Sequence, residues 1–333
     1  MQISLSYILE TEEKKRERLL DFAMKDEFFK GIIHDLIDYG YKIKLSILGG
    51  AGAYKPFALS SEKLDTPQKQ QQFTHGFWKM SEAGNMKAKI QLSLLLGAGG
   101  NAHSFLHEIL HFYQDMYGLY FLPLKEQGVF PVSLDAKGNI VSILFCEAWA
   151  EIETIRTCWS LAQKGDDLGW VGAINSPDWK DLAKSYDYDL QNGVDEAKAA
   201  ANAFRSWYKC KQRSFYETQA LKIYEINFAR YVEDVKDISD AQISDNLRSL
   251  ELADILARIP QNHIPKYFTQ IDLDDELFSK PVSANVIKSI NEIEQKYGAE
   301  HSGNIQDIRC GSPPYIWKRL RNAEVEASEV PPH

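Results

Sequence analysis

Ser104 to Asp115 reads SFLHEILHFYQD, with two histidines four residues apart and a glutamate directly after the first. In an α-helix, residues i and i+4 lie one above the other on the same face, so His107 and His111 can point two imidazoles at one ion. Zinc takes neutral His nitrogens at about 2.0–2.1 Å and keeps one position open for water when it is catalytic. Glu108 sits one residue round from His107, where it reaches that water rather than the metal. The H-E-x-x-H spacing therefore encodes two ligands and the general base of a hydrolysis. The competing reading is a pair of core histidines held by hydrogen bonds, with Glu108 paired to an Arg or Lys. Phe105, Leu106, Ile109, Leu110, Phe112 and Tyr113 make the helix apolar almost all round, so it is expected to be buried, and its polar groups must be paired or bound to metal. His103 lies eight residues before His111, a rise of about 12 Å. That is too far for both to hold one ion, and His103 is read as a residue of the first turn or behind the ligands.

A catalytic zinc needs a third protein ligand. The pattern H-E-x-x-H-x-x-G-x-x-H is excluded, because Gln114 stands at its Gly position and Tyr117 at its last His. The other common answer is a glutamate from a later helix. ILFCEAWAEIETIRTCWSLAQKG, Ile143 to Gly165, has a strong helical pattern ended by Lys-Gly. At 100° per residue, Glu153, Arg156, Ser160, Gln163 and Lys164 share a polar face. Glu147 and Glu151 fall on the opposite side with Leu144, Ala148, Ile155, Cys158 and Ala162. A carboxylate on a buried face needs a cation or a metal beside it, and either glutamate satisfies that condition.

The pair HEILH and EAWAE resembles the gluzincin metallopeptidases, in which H-E-x-x-H is followed by a helix carrying a ligand Glu among small residues. More closely, HEILHFYQD, EAWAEIE and AFRSWYKCKQRSFYETQAL are together similar to a family of bacterial metallopeptidases of unassigned substrate, over roughly Ile43 to Tyr224. The resemblance implies Glu147 as third zinc ligand and Glu151 as the residue behind it, with Glu151 as the alternative ligand because the spacing from His111 is longer than in the best-known gluzincins. It also implies a donor for the tetrahedral oxyanion later in the chain, at Tyr216 or Arg213. The expected activity is zinc-dependent endopeptidase cleavage of a specific protein or peptide substrate, by Glu-assisted attack of zinc-bound water. The alternatives are an inactive peptidase-like binding or scaffold module and a zinc hydrolase acting on non-peptide bonds.

Around the site, Thr11 to Met24 and Glu27 to Tyr39 read as amphipathic helices, and Tyr41 to Leu48 and Ala88 to Leu96 as strands. Asn101 is suited to cap the metal helix, 102–118. A hairpin is expected through Ala136 to Asn139, then the glutamate helix, 143–164. AFRSWYKCKQRSFYETQALKIYEINFARYVEDV forms one long helix or two. The expected class is α+β, predominantly α-helical and zincin-like, with a small sheet beside the metal helix and a helical C-terminal half. The expected division is a metallopeptidase domain, 1–235, and a helical subdomain, 236–333, with KDISDAQISDN at the boundary. SSEKLDTPQKQQQ reads as a flap or excursion.

The 333 residues, 44% hydrophobic and 12% aromatic, belong to a globular chain. A net charge of -9 without a basic run argues against a nucleic-acid partner. No run approaches the roughly 18 apolar residues of a membrane span. The start, MQISLSYILETEEKKRERLL, puts its charges after its apolar stretch, so a signal peptide is not expected and the chain is expected to be made in a cytoplasm. Its acidic tail is compatible with delivery into another cell by a specialised secretion system, as an effector or toxin. Cys146, Cys158, Cys210 and Cys310 show no C-x-x-C pairing and read as reduced. The oligomeric state is not legible.

Overall fold

The computed structural model describes residues 11–38, 42–48, 53–55, 87–93, 96–116, 119, 133–234, 247–248, 252–257, 259–279, 284–297, 304–308 and 316–320. The stretches 60–72, 236–246 and 323–333, read from the sequence as a flap, a boundary and an acidic tail, lie outside them.

Local chemistry starts the helices where the sequence places them. The Thr11 hydroxyl accepts from the Lys14 N–H at 3.3 Å and opens α1, Glu12–Ala23, whose first-turn Glu12 and Glu13 suit the helix dipole. Asp26 takes the N–H groups of Phe28 and Phe29 at 3.1 and 3.2 Å and opens α2, Glu27–Asp38. Backbone ladders follow: β1, Lys42–Leu48, runs parallel to β3, Lys87–Ser93, with Leu45 opposite Ile90, and β2, Ala53–Lys55, runs antiparallel to β3. Then come α3, Gly97–Met116, β4, Ser133–Leu134, α4, Ala136–Gln163, α5, Leu168–Asn175, α6, Lys180–Gln191, α7, Glu196–Trp207, and α8, Gln212–Asp234. β5, Leu247–Arg248, α9, Leu252–Leu256, two 3-10 turns within 261–270, α10, Glu276–Ser279, α11, Ala284–Lys296, β6, Asn304–Ile308, and β7, Ile316–Leu320, complete the order.

The protein is predominantly helical, which corrects the α+β class and the small sheet as a layer of the fold. Of the described core residues only Ile90 and Leu92 come from a strand, and nearly all the rest belong to helices. The period-2 alternation of two short segments suggests a sheet layer, but the apolar mass of the chain recurs at helical period and buries helix against helix. Two smaller corrections follow the same logic. Ala136 to Asn139 is the first turn of α4 and not a hairpin, capped by the Asp135 carboxylate on the Gly138 N–H at 2.6 Å. Asn101 lies inside α3, which begins four residues earlier.

The chain groups into two compact units. The first comprises 1–117, 146–206 and 261–270, so it holds β1 to β3, α1 to α3, most of α4, α5, α6 and all but the last residue of α7. Within it α5 lies against α3 at a pair of glycines: a Cβ on Gly99 would stand 2.8 Å from the Leu168 carbonyl oxygen, and one on Gly172 would collide with the Gly99 carbonyl. Only glycine allows backbones this close. The Trp149 ring of α4 meets Tyr113 of α3 and Phe268 edge-on, each at 6.3 Å between centroids. These contacts fix α3 and α4 against their neighbours. The second unit comprises 118–145, 207–260 and 271–333. Its described interior includes Asn139 donating to the Ala220 carbonyl at 2.8 Å and Tyr224 donating to Glu294 at 2.7 Å.

Candidate metal centre

α3 is buried through its apolar residues, and its i, i+4 spacing brings His107 and His111 to one face as expected. Their Nε2 atoms approach to 2.9 Å, and the rings meet at 86°. Across from them, α4 presents Glu147, whose Oε2 lies 3.5 Å from His107 Nε2 and 3.3 Å from His111 Nε2. All three side chains are buried, and so is Glu108. Among the described residues, His107, His111 and Glu147 form a group of metal-competent atoms that all lie within 4.8 Å of one another. A tetrahedral ion with bonds of about 2.0–2.1 Å needs its ligand atoms about 3.3–3.4 Å apart. The distances of 2.9, 3.3 and 3.5 Å bracket that edge. The donor set, two imidazole nitrogens and a carboxylate oxygen, is one that zinc accepts.

Glu151 is one turn further along α4 and faces the back of the same group. Its Oε2 lies 3.2 Å from His107 Nδ1 and its Oε1 lies 3.1 Å from His103 Nε2. Both are ion-pair approaches that fall off the line of a good hydrogen bond. Of the two glutamates, Glu147 thus meets the ring nitrogens that converge, and Glu151 meets the outer nitrogen of His107. His103, in the second turn of α3, stands behind Glu151.

The electrostatics of the cluster favour separated charges. Burial alone would lower the His107 imidazole, but the close carboxylates of Glu147 and Glu151, and the charge of Glu108, raise it well above its usual value. Burial alone would raise both carboxyls. For Glu147 the His111 and His107 rings outweigh it and hold the group well below the usual carboxylate range. For Glu151, His103 and then His107 do the same. Two buried carboxylates therefore stay ionised because positive charge sits among them, a place that a metal cation fills as well as a proton does.

Sequence reasoning missed Gln114. Fully buried on α3, it meets His111 Nδ1 through its Oε1 at 2.8 Å and donates from Nε2 to the Cys146 carbonyl at 2.9 Å. A lone amide three residues after a ligand-type histidine, in a helix apolar elsewhere, was the available signal, because a buried amide must find partners.

Tyr216 and Arg213 belong to the second unit, and the cluster is built without them. Arg213 is buried, with Nε donating to Glu217 Oε1 at 3.1 Å and Nη1 donating to the Tyr208 and Leu277 carbonyls at 3.1 and 3.2 Å. The Tyr216 ring lies 5.7 Å from Trp207 and 5.3 Å from Phe215. Cys146 and Cys158 are buried, and Cys210 is half-buried.

Among the described residues no helix is long and apolar enough to cross a membrane. No curated protein and no solved structure matches the chain. A family model does match, over residues 80–262, a span that begins before β3, contains α3 with its two histidines and α4 with both glutamates, and exceeds half of the chain. On that match, with a buried His-His-Glu group at its centre, the chain belongs to the family described as "Putative metallopeptidase family (DUF6782)".

Proposed function

We propose that the protein is a zinc-dependent endopeptidase whose metal is held by His107, His111 and Glu147. The observation that carries this reading is the convergence of two Nε2 atoms and one carboxylate oxygen at separations of 2.9 to 3.5 Å, close to the edges of a zinc tetrahedron. A zinc ion so held supplies Lewis acidity to the carbonyl under attack and makes water a better nucleophile. Glu108 takes the proton of the attacking water and returns it to the leaving amine. Glu151 orients His107 through Nδ1, and His103 steadies Glu151 from behind. For the oxyanion, the resemblance alone offers Tyr216 and Arg213 as candidates for the second donor. Such a donor is worth on the order of 3 kcal/mol.

The substrate is a protein or peptide, as a peptidase family implies, and the Glu108→Gln protein, which should bind without cutting, is the means to capture it. Metal analysis and digestion of a peptide library test the reading together. Wild type should carry about one zinc per chain and cut. Glu108→Gln should keep the zinc and lose about 10²- to 10⁴-fold in rate, and Tyr216→Phe should keep zinc with a smaller loss. Zinc binding without cleavage of any peptide would favour a scaffold or a non-peptide hydrolase. A wild type that takes up no metal would end the metallopeptidase mechanism.

A further inference from the structure

His107 and His111 are backed in different ways, and the second arrangement dictates a protonation pattern. The Cys146 carbonyl oxygen can only accept a hydrogen bond, so the side of the Gln114 amide that faces it at 2.9 Å must be the NH2 group. The other side, 2.8 Å from His111 Nδ1, is then the carbonyl oxygen, which also only accepts. Nδ1 of His111 must therefore carry the hydrogen. In a neutral imidazole this leaves the lone pair on Nε2, the nitrogen that faces Glu147 and His107 at 3.3 and 2.9 Å. One fixed acceptor, the Cys146 carbonyl, orients the amide and so sets the direction of both hydrogen bonds.

We infer that Gln114 is a positioning residue that locks His111 in its Nδ1–H tautomer and ties that ring to the backbone of α4 one residue before Glu147. The inference rests on the metal reading for its functional meaning, but not for its geometry. One side chain sets the direction of the His111 lone pair and holds the helix that brings the third ligand. A neutral amide suits both tasks. A carboxylate at this position would accept from His111 but would oppose the Cys146 carbonyl, whereas an apolar side chain of the same length would leave the Nδ1 hydrogen buried without an acceptor. Gln114 is fully buried, so water does not replace it. Glu151 backs His107 with charge, and Gln114 backs His111 without it.

The test reads the tautomer directly. Two-bond proton-nitrogen correlation spectra of the full chain, labelled at histidine nitrogen and assigned with His111→Asn, report which nitrogen of His111 carries hydrogen, in zinc-free and zinc-loaded protein. Nδ1–H in wild type is expected in both, whether or not Nε2 also carries a proton in the zinc-free chain, and a His111 without Nδ1–H there would overturn the inference without any substitution at 114. Gln114→Met keeps the length of the side chain and removes both hydrogen bonds. It should mix the two tautomers in the zinc-free protein and weaken zinc, by chelator competition, about 10- to 100-fold, with helix content by circular dichroism unchanged. A folded Gln114→Met protein with the wild-type tautomer and wild-type zinc affinity would refute the role. If wild type binds no zinc, the metal reading fails alone, and the His111 tautomer still decides for or against the lock.

Discussion

Two stretches of α4 bury carboxylates within two turns of each other and solve the problem in opposite ways. At Glu147 and Glu151 the compensating groups are His103, His107 and His111. At Glu153 the compensating group is Arg156, whose Nε donates to Glu153 Oε2 at 2.9 Å while its Nη1 reaches Glu196 at 3.1 Å. A guanidinium is charged at every accessible pH, and Glu153 and its neighbours hold it more firmly so. An imidazole is positive only when both its ring nitrogens hold a proton, and when it gives one up it offers a lone pair. The first stretch is therefore open to exchange a proton for a metal ion, and the second is closed. Buried negative charge on a helix does not by itself mark a reactive site. The partner decides, by whether its own positive charge is permanent or conditional.

The largest effect that tests this contrast is at the open stretch. Glu147→Ala should abolish zinc binding and cleavage, whereas Glu151→Ala should keep measurable zinc with a loss of about 10- to 100-fold in affinity or turnover. Chelator titration of both variants orders them. The reverse order would make Glu151 the ligand and move the open site by one helical turn.

At the closed stretch the loss should be of stability and not of metal. Arg156→Met leaves Glu153 buried without its cation, which should cost about 3 kcal/mol in chemical denaturation, with zinc per folded chain unchanged. Adding Glu153→Leu should restore most of it, because an apolar pair can replace a buried ion pair at little cost. A fall in zinc affinity in the folded single variant would show that the two stretches are coupled and the contrast too sharp.

The smallest effect concerns another guanidinium pair, Arg213 with Glu217. Burial pushes the Glu217 carboxyl up to about 7 against the pull of Arg213. A carboxyl whose pKa is higher folded than unfolded favours folding while it is protonated, so its contribution is full below the ordinary value of 4.5 and is lost as pH rises through about 7. Glu217→Gln should flatten the decline in stability across that window, measured as denaturation midpoint against pH. A wild-type curve already flat there would remove the effect.

Much of the candidate site was legible because its elements are local. The spacing of His107 and His111 follows from helical period alone, and Glu147 and Glu151 were separated from Glu153 and Arg156 by the same arithmetic. The helix angle also gave Glu153 a polar face, but not its depth. Glu153 is fully buried because Arg156 follows it by three residues and can cover it. What was not legible depended on contacts between elements. The meeting of Glu147 with two Nε2 atoms, of Glu151 with His103, and of Gln114 with the Cys146 carbonyl requires the placement of α4 against α3, which no period records. The fold class was misread for a related reason. Alternation in Tyr41 to Leu48 identifies a strand segment correctly as β1, but it carries no information on how much of the core that segment supplies. The helical pairs supply nearly all of it.

The contact of Gly99 with Gly172 gives this placement a mutational address far from the histidines. Neither position tolerates even a methyl group without backbone displacement, since the atoms in the way are the carbonyl oxygens of Leu168 and Gly99 themselves and cannot rotate aside. Gly99 is two turns of helix before His107 on the same rigid rod. A wedge inserted there would tilt the whole rod, and the aim of both imidazoles would shift with it. The tolerance of the centre is thus set partly by two missing side chains, and a survey of inactivating substitutions that looked only at ligands would overlook them.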